Sequence, residues 1–219
     1  MLYDSLRQRA TPKATSTCPC CRTALIAKCG SVKIHHWAHE SLIDCDEWYE
    51  GISDWHLSYQ GYVKEDCREV VVGDHRADIK LSSGKVIELQ HSPITPEVVA
   101  ERELHYGHMI WIFDAEKWKK NFMMKSSSPD RMYFRWKRAH KGVLACEKPI
   151  FFDLGNDEIL QVTGKKTYEN ESNKWDQDFY YTHYLWGKLW DKATFLFDCF
   201  EENIIGKTAS DLLPDALRD

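Results

Sequence analysis

The order of apolar and polar residues predicts a helix followed by three strands. Between residue 46 and about residue 64, aromatic and branched residues recur at helical spacing with polar residues between them, which is typical of an amphipathic helix. Residues 69–73 form a short β-branched run, and residues 75–92 alternate between apolar and polar around a turn at 82–84. These patterns predict one strand and then a β-hairpin.

A second helix and a buried strand are predicted to follow the hairpin. Thr95 and Pro96 are suited to the cap and the first position of a helix, and Gly107 is suited to its end. The next five residues, 109–113, are all apolar. A run this short predicts a buried strand, placed parallel to a hairpin strand by a right-handed crossover.

The second half of the chain predicts shorter elements. Residues 114–130 are polar and predict a loop, and an apolar run near the end predicts a closing helix from residue 193. Four short strands are predicted at 132–136, 142–146, 149–154 and 158–162. Residues 165–192 are rich in aromatic and charged side chains. We expect them to pack in a flap or to form a protein-partner surface, with stacking on single-stranded bases as the alternative.

The hairpin brings two carboxylates to one of its faces. Pairing the strands about Ser83 places Asp78 opposite Glu88. Like charges directly opposite each other destabilise a strand pair, whereas a divalent cation requires such a pair of oxygen ligands. The pattern therefore predicts a metal site, and the alternative is a solvated face on which Arg76 and Lys80 neutralise the two acids.

Cysteines and histidines near the N-terminus have the spacing of a zinc site. Cys18, Cys21, His36 and His39 form the pattern C-x2-C-x14-H-x2-H. Two short knuckles with this spacing enclose a tetrahedral Zn²⁺ ion. Cys20, Cys29 and His35 remain candidate ligands, and a reduced cysteine-rich loop is the alternative to a metal site.

Composition narrows the class of protein. A chain of 219 residues that is 43% hydrophobic can bury one main core with small appendages. No apolar run approaches the roughly 20 residues of a membrane span, so we expect a soluble, cytoplasmic protein without membrane contact. The net charge of −5 argues against indiscriminate attraction to nucleic acid but allows a local basic patch.

In order along the chain, these motifs resemble the competence protein CoiA-like family. The resemblance spans roughly residues 18 to 200, and its most specific part is the Arg-Ala-Asp hairpin that ends in Glu-x-Gln. It rests on Cys-Pro-x-Cys, His-x-Ala-His, Trp55-His56-Leu57, Glu69, His75-Arg-Ala-Asp-Ile79, Ile87-Glu-Leu-Gln-His-Ser92, Glu101-Arg102, Trp111 and Pro149-Ile-Phe-Phe-Asp-Leu-Gly155.

The resemblance implies a mixed α/β fold. Its centre is a restriction-endonuclease-like αβββαβ core of the PD-(D/E)xK type, between a small zinc-binding module and a β-rich, partly helical extension. The corresponding domains are an N-terminal segment with the zinc module at 1–45, the nuclease-like core at 46–125 and the extension at 126–219.

The resemblance also implies roles for named residues. Asp78 and Glu88 match the acids that hold Mg²⁺ or Mn²⁺, and Gln90 stands where the usual motif has Lys. A glutamine amide can orient the attacking water but cannot titrate. Glu69, His56 and Arg76 complete the candidate catalytic set. The acid of the first helix has no unambiguous match, because Glu47, Glu50 and Asp54 compete for it.

The implied activity is that of a metal-dependent nuclease that hydrolyses DNA. Its pathway would be DNA processing, competence or defence, and the strandedness of the DNA is left open. Because Gln90 departs from the motif, the alternative is a noncatalytic DNA-binding or DNA-processing factor built on a degenerate nuclease fold.

Overall fold

A small antiparallel sheet forms the N-terminal part of the protein. The computed structural model describes residues 10–18, 21–31, 35–40, 48, 53–128, 130–136, 138–169, 181–200 and 203–204. Three strands pair in the order β1-β2-β3, namely β1 (Thr15–Thr17), β2 (Ala24–Lys28) and β3 (His36–His39). Cys18 and Cys21 lie in the turn between the first two strands.

The central elements follow the predicted order αβββαβ. They are α1 (Asp54–Gln60), β4 (Arg68–Val72), β5 (His75–Lys80), β6 (Val86–Gln90), α2 (Pro96–Tyr106) and β7 (Met109–Asp114). A 3-10 turn at Glu65–Cys67 precedes β4. Strands β4, β5 and β6 pair antiparallel, and β7 lies parallel to β6. The mixed α/β fold with a restriction-endonuclease-like order of elements is confirmed.

The remaining strands extend the same sheet. They are β8 (Phe122–Ser128), β9 (Arg131–Trp136), β10 (Ile150–Asp153), β11 (Glu158–Glu169) and β12 (Tyr181–Asp191), with α3 (Lys141–Ala145) and α4 (Lys192–Phe200) between or after them. The nine strands are ordered β4-β5-β6-β7-β10-β11-β12-β9-β8, and β10 is parallel to β7. The sheet therefore continues across residue 125, where a domain boundary is predicted.

Helices cover both sides of the sheet. Val99 of α2 and Val143 of α3 belong to one hydrophobic cluster, and Tyr59 of α1 and Phe195 of α4 belong to the other. All five residues of β6 are buried, as expected for a strand covered on both faces. The polar face of the hairpin is thus not a solvated surface at β6, because α2 packs over it.

The first helix is shorter than predicted. It begins at Asp54, because Ser53 caps it by accepting the backbone N–H of His56. Trp48, which belongs to the predicted helical stripe, lies in a turn. The other residues of the predicted first turns, 46, 47 and 49–52, lie outside the part of the chain that the structure describes.

Two predictions in the second half were wrong. Residues 142–146, predicted as a strand, fall largely in α3, where Gly142 packs against the backbone of Ile94. A run of four or five apolar residues does not distinguish a strand from a buried helical turn. The predicted loop at 114–130 contains β8. The described parts of 165–192 lie mostly in the long strands β11 and β12, and the role of their aromatic side chains stays a prediction.

No helix within the described residues is long and apolar enough to cross a membrane.

Candidate active site and cysteine–histidine cluster

Three carboxylates lie side by side across three neighbouring strands. The pairs Ile79↔Ile87 and Lys80↔Val86 set the hairpin register, and at the next position Asp78 and Glu88 are joined by a hydrogen bond from the Asp78 amide to the Glu88 carboxylate. On the other side of β5, Glu69 falls between the pairs Arg68↔Ile79 and Val70↔Ala77 and so lies opposite Asp78. We call Glu69, Asp78 and Glu88 the acid row.

The backbone ladder gives way to side-chain hydrogen bonds at the acid row. The amide of Leu89 donates to Asp78 Oδ2 at 2.8 Å, and the amide of Asp78 donates to Glu88 Oε1 at 3.4 Å. Glu69 has a φ of 49°, in the left-handed region that favours glycine. Such strain costs on the order of 1–3 kcal/mol and persists at sites where the surrounding structure enforces it.

Two arginines neutralise part of the negative charge. Arg102 Nη1 lies 2.8 Å from Glu88 Oε2, and Arg76 Nε lies 2.8 Å from Glu69 Oε2. Arg76 thus pairs with Glu69, and Glu88 is paired by an arginine of α2 that the hairpin pattern does not point to. Each of these arginines thus offsets the charge of one acid of the row when that acid is ionised.

Burial makes ionisation of the row costly. Burial, together with the adjacent Asp78, raises the pKa of Glu88 to about 8 against the opposing effect of Arg102. The pKa of Glu69 is also raised by burial, and Asp78 adds to this, while Arg76 opposes it. An acid that is buried next to another acid favours its neutral form until a positive charge arrives.

Helix α1 contributes an amide to the row. Gln60 Nε2 donates to Glu69 Oε1 and to the backbone carbonyl of Asp78. The helix is held in place by the buried Asp153 of β10, which accepts hydrogen bonds from Trp55 Nε1 at 2.9 Å and Tyr59 Oη at 2.8 Å. Lys192 of α4 pairs with the same carboxylate at 2.8 Å.

The other predicted catalytic residues are placed differently. Gln90 is 1% exposed, and its Nε2 donates to the backbone carbonyl of Ser92 at 2.9 Å. His56 is buried, with Nδ1 at 2.8 Å from Ser53 Oγ, and its interaction with Glu69 opposes the rise in the pKa of that acid. Of the three candidate first-helix acids, Asp54 is exposed in the first turn of α1, and Glu47 and Glu50 lie outside the described residues.

Sequence reasoning missed Arg102 as the partner of Glu88. The signal was present in the spacing, because Val99, Arg102, Glu103 and Tyr106 recur at helical intervals and form the buried side of α2. A charged residue within such a stripe requires a partner of opposite charge. Glu103 has its own partners, accepting from Trp111 Nε1 and from the amides of Glu147 and Lys148.

A separate cluster lies at one end of the small sheet. One ligand atom from each of Cys18, Cys21 and His39 lies within 4.8 Å of the others. Cys21 Sγ is 3.2 Å from His39 Nε2 and 2.9 Å from Thr23 Oγ1. Burial alone would raise the pKa of the Cys21 thiol, but hydrogen bonds from Thr23, Cys18 and His39 lower it to about 6. Two thiols and an imidazole are ligands that suit zinc.

His36, predicted as the fourth ligand, does not join this group among the residues that the structure describes. His36 pairs with Lys28 at one end of β3, whereas His39 pairs with Leu25 at the other. Three residues along a strand span roughly 10 Å and reverse the side-chain direction. Cys29 is also elsewhere, where its thiol donates to the carbonyl of Ala10, and Cys20 lies outside the described residues.

Comparisons with protein families identify both parts of the chain. Residues 4–47 match the family described as "Competence protein CoiA, N-terminal domain". Residues 70–182, more than half of the chain, match the family described as "Competence protein CoiA, nuclease-like domain". No curated protein and no solved structure matches the chain. The second match contains the whole hairpin and Arg102, and the first contains Cys18, Cys21 and His39. The chain belongs to the competence protein CoiA family.

Proposed function

We propose that this protein is a metal-dependent nuclease that hydrolyses phosphodiester bonds of DNA during DNA processing, in competence or defence. The observation that carries the proposal is the acid row on β4, β5 and β6, placed within an αβββαβ core that matches a nuclease-like family domain. A fold of this kind does not by itself imply an activity, so the proposal depends on the chemistry of the row.

The donor set of the row fits a hard divalent cation. Mg²⁺ and Mn²⁺ prefer carboxylate oxygens, and Asp78 and Glu88 would hold the ion. The raised pKa of Glu88 reflects burial and repulsion from Asp78, which a cation between them would relieve. When bound, such an ion supplies positive charge for the phosphate and lowers the pKa of water.

The remaining residues of the site would position these groups and the DNA. Arg102 keeps Glu88 in place, and Gln60 with Arg76 keeps Glu69 in place. Gln90 would orient the attacking water. For this, either its amide nitrogen leaves the carbonyl of Ser92, or its amide oxygen contacts the water. Arg76 and His56 are the candidates for contacts with phosphate.

We also assign a structural Zn²⁺ to the N-terminal module at 1–45. Cys18, Cys21 and His39 supply three ligands, and structural zinc sites are almost always four-coordinate. In this scheme the nuclease-like core spans 46–125, and the extension at 126–219 completes the sheet.

Cleavage assays on single- and double-stranded DNA test the proposal. We expect the wild type to cut DNA with Mg²⁺ or Mn²⁺ and not with EDTA. Asp78→Asn and Glu88→Gln should each reduce the rate at least a hundredfold. Glu97→Gln is the matched control, because Glu97 is exposed in the first turn of α2, and it should cut at the wild-type rate. Metal-independent cleavage, or cleavage that survives Asp78→Asn, would refute the assignment.

One observation favours a noncatalytic DNA-binding factor as the second candidate. Gln90 occupies the motif Lys position with its amide nitrogen bonded to Ser92, so no cationic group stands there. If the nuclease assignment holds, Gln90→Lys retains or raises cleavage, and Gln90→Leu lowers it without loss of metal binding. If the wild type binds DNA, and neither it nor Gln90→Lys cuts any substrate with Mn²⁺, the noncatalytic factor is the better account.

A further inference from the structure

The end of the large sheet exposes aromatic side chains on one of its sides. In β9, Met132, Phe134 and Trp136 point into the core, so Tyr133 and Arg135 point away from it, and Tyr133 is 49% exposed. In β12, Leu185 is buried, and its neighbours Tyr184 and Trp186 are 42% and 37% exposed. Soluble proteins seldom leave several large aromatic side chains together in water without a use for them.

Strand pairing joins these residues into one surface. Tyr184 lies directly opposite Arg135 on one side and Lys166 on the other, and Trp186 lies opposite Tyr133. Tyr168 reaches Tyr184 diagonally, with ring centroids 5.6 Å apart. We call Tyr133, Tyr168, Tyr184 and Trp186, with the cations between them, the aromatic face.

The indole of Trp186 lies against Gly164, the residue opposite it on β11. A Cβ atom on Gly164 would lie 2.3 Å from the indole ring, so any other residue would displace it. The part of the indole next to Gly164 is therefore covered by the sheet. The exposed area of this side chain is available for a second planar group to stack on, which is the geometry by which open sheets hold unpaired bases.

The charge of the aromatic face is positive, although the chain as a whole is acidic. The described positions on this side of β8, β9, β11 and β12 include no Asp or Glu, and they carry five cations: Lys125, Arg131, Arg135, Lys166 and Lys188. Asp130, in the turn beside them, pairs with Lys188 at 3.7 Å. A local concentration of cations within a chain of net charge −5 favours an anionic partner.

We propose that the aromatic face binds single-stranded DNA, with bases stacked on Trp186 and Tyr184 and phosphates held by Arg135 and Lys166. Duplex DNA buries the faces of its bases and cannot stack on these rings, so the surface selects unpaired strands. The choice of DNA over RNA rests on the function proposed above. Binding here is separate from cleavage, because the aromatic face and the acid row lie on opposite sides of the sheet. Trp190 is on the same side of β12 as Trp186 and packs with the cluster of α4. Glu88 is on the other side of the sheet, where it faces Arg102 of α2.

Fluorescence anisotropy of a labelled oligothymidylate, measured in EDTA so that no strand is cut, tests this proposal. The full-length wild type should bind it more tightly than it binds duplex DNA or oligouridylate. The double variant Tyr184→Ala/Trp186→Ala should bind on the order of tenfold more weakly or worse. Trp186→Phe should retain most of the affinity, and Gly164→Val should lose it by displacing the indole.

Two controls separate binding from folding and from catalysis. Phe197→Ala removes an aromatic side chain that is 52% exposed on α4, and it should bind as the wild type does. The second control is a cleavage assay of the wild type with Mn²⁺: a wild type that binds oligothymidylate through Tyr184 and Trp186 and cuts no DNA refutes only the proposed nuclease. The aromatic-face proposal fails if a double variant with a wild-type melting temperature still binds oligothymidylate equally well. It also fails if the wild type binds duplex DNA or oligouridylate more tightly than oligothymidylate. It fails too if the double variant changes only self-association or the binding of another protein.

Discussion

Glu88 is the residue on which the chemistry of the site depends most. It is 3% exposed, lies next to Asp78 and is paired with Arg102. Breaking a buried pair by removing one partner costs about 3–5 kcal/mol. Arg102 is therefore expected to be needed for folding as much as for activity, and conservative changes at Glu88 are the informative ones.

The raised pKa of Glu88 predicts a pH-dependent stability. In the folded protein Glu88 keeps its proton up to about pH 8, and in the unfolded chain only up to about pH 4.5. The contribution of this group to the stability of the fold is therefore complete below pH 4.5. That contribution is lost as the pH rises through about 8. Without metal, the melting temperature should fall between pH 5 and pH 8 by several degrees more in the wild type than in Glu88→Gln. Thermal unfolding of both proteins in EDTA measures this, and parallel curves would show that Glu88 ionises normally.

At the scale of elements, β3 decides which of its two histidines lies beside the cysteines. Because His36 and His39 lie at opposite ends of the strand, only His39 reaches the cysteines. Elemental analysis should find about one zinc per chain in the wild type and in His36→Asn. Zinc should be lost from His39→Asn and from Cys18→Ser/Cys21→Ser. Equal zinc content in the two histidine variants would contradict the cluster.

Helix α3 offers a second test at this scale. Glycine normally weakens a helix by about 1 kcal/mol relative to alanine, yet a Cβ on Gly142 would lie 2.1 Å from the carbonyl oxygen of Ile94. Because the clash is with backbone, Gly142→Ala should lower the free energy of unfolding by about 1–3 kcal/mol. Gly30→Ala, which meets nothing within 4 Å, is the control. A stabilised Gly142→Ala protein would show that α3 does not pack there.

The sequence predicts the αβββαβ order and the hairpin register because local signals specify them. The turn at 82–84 and the alternation around it leave one pairing that buries Ile79 and Ile87 together. The strands at 165–191 were missed because apolar and aromatic residues occupy both sides of β12, which hides the alternation. Helical spacing indicates that Arg102 is buried and needs a partner, but its contact with Glu88 joins residues 14 positions apart in different elements, so no local pattern specifies which acid it pairs with.

At the scale of the whole molecule, one sheet connects the parts of the protein. The acid row lies at one end of the strand order and the aromatic face at the other. Between them, Asp153 on β10 accepts hydrogen bonds from both α1 and α4. The sheet thus fixes the distance between a proposed cleavage site and a proposed strand-binding surface.

The central claim is that the acid row holds a divalent cation. The most direct measurement is the thermal unfolding of wild type and Asp78→Asn with and without Mn²⁺. Above about pH 8, where Glu88 is ionised, it and Asp78 repel each other without a cation, so Mn²⁺ should raise the melting temperature of the wild type. At this pH, Asp78→Asn should melt higher than the wild type in EDTA and should show no shift with Mn²⁺. An absent shift in the wild type, or an equal shift in both proteins, would contradict the account.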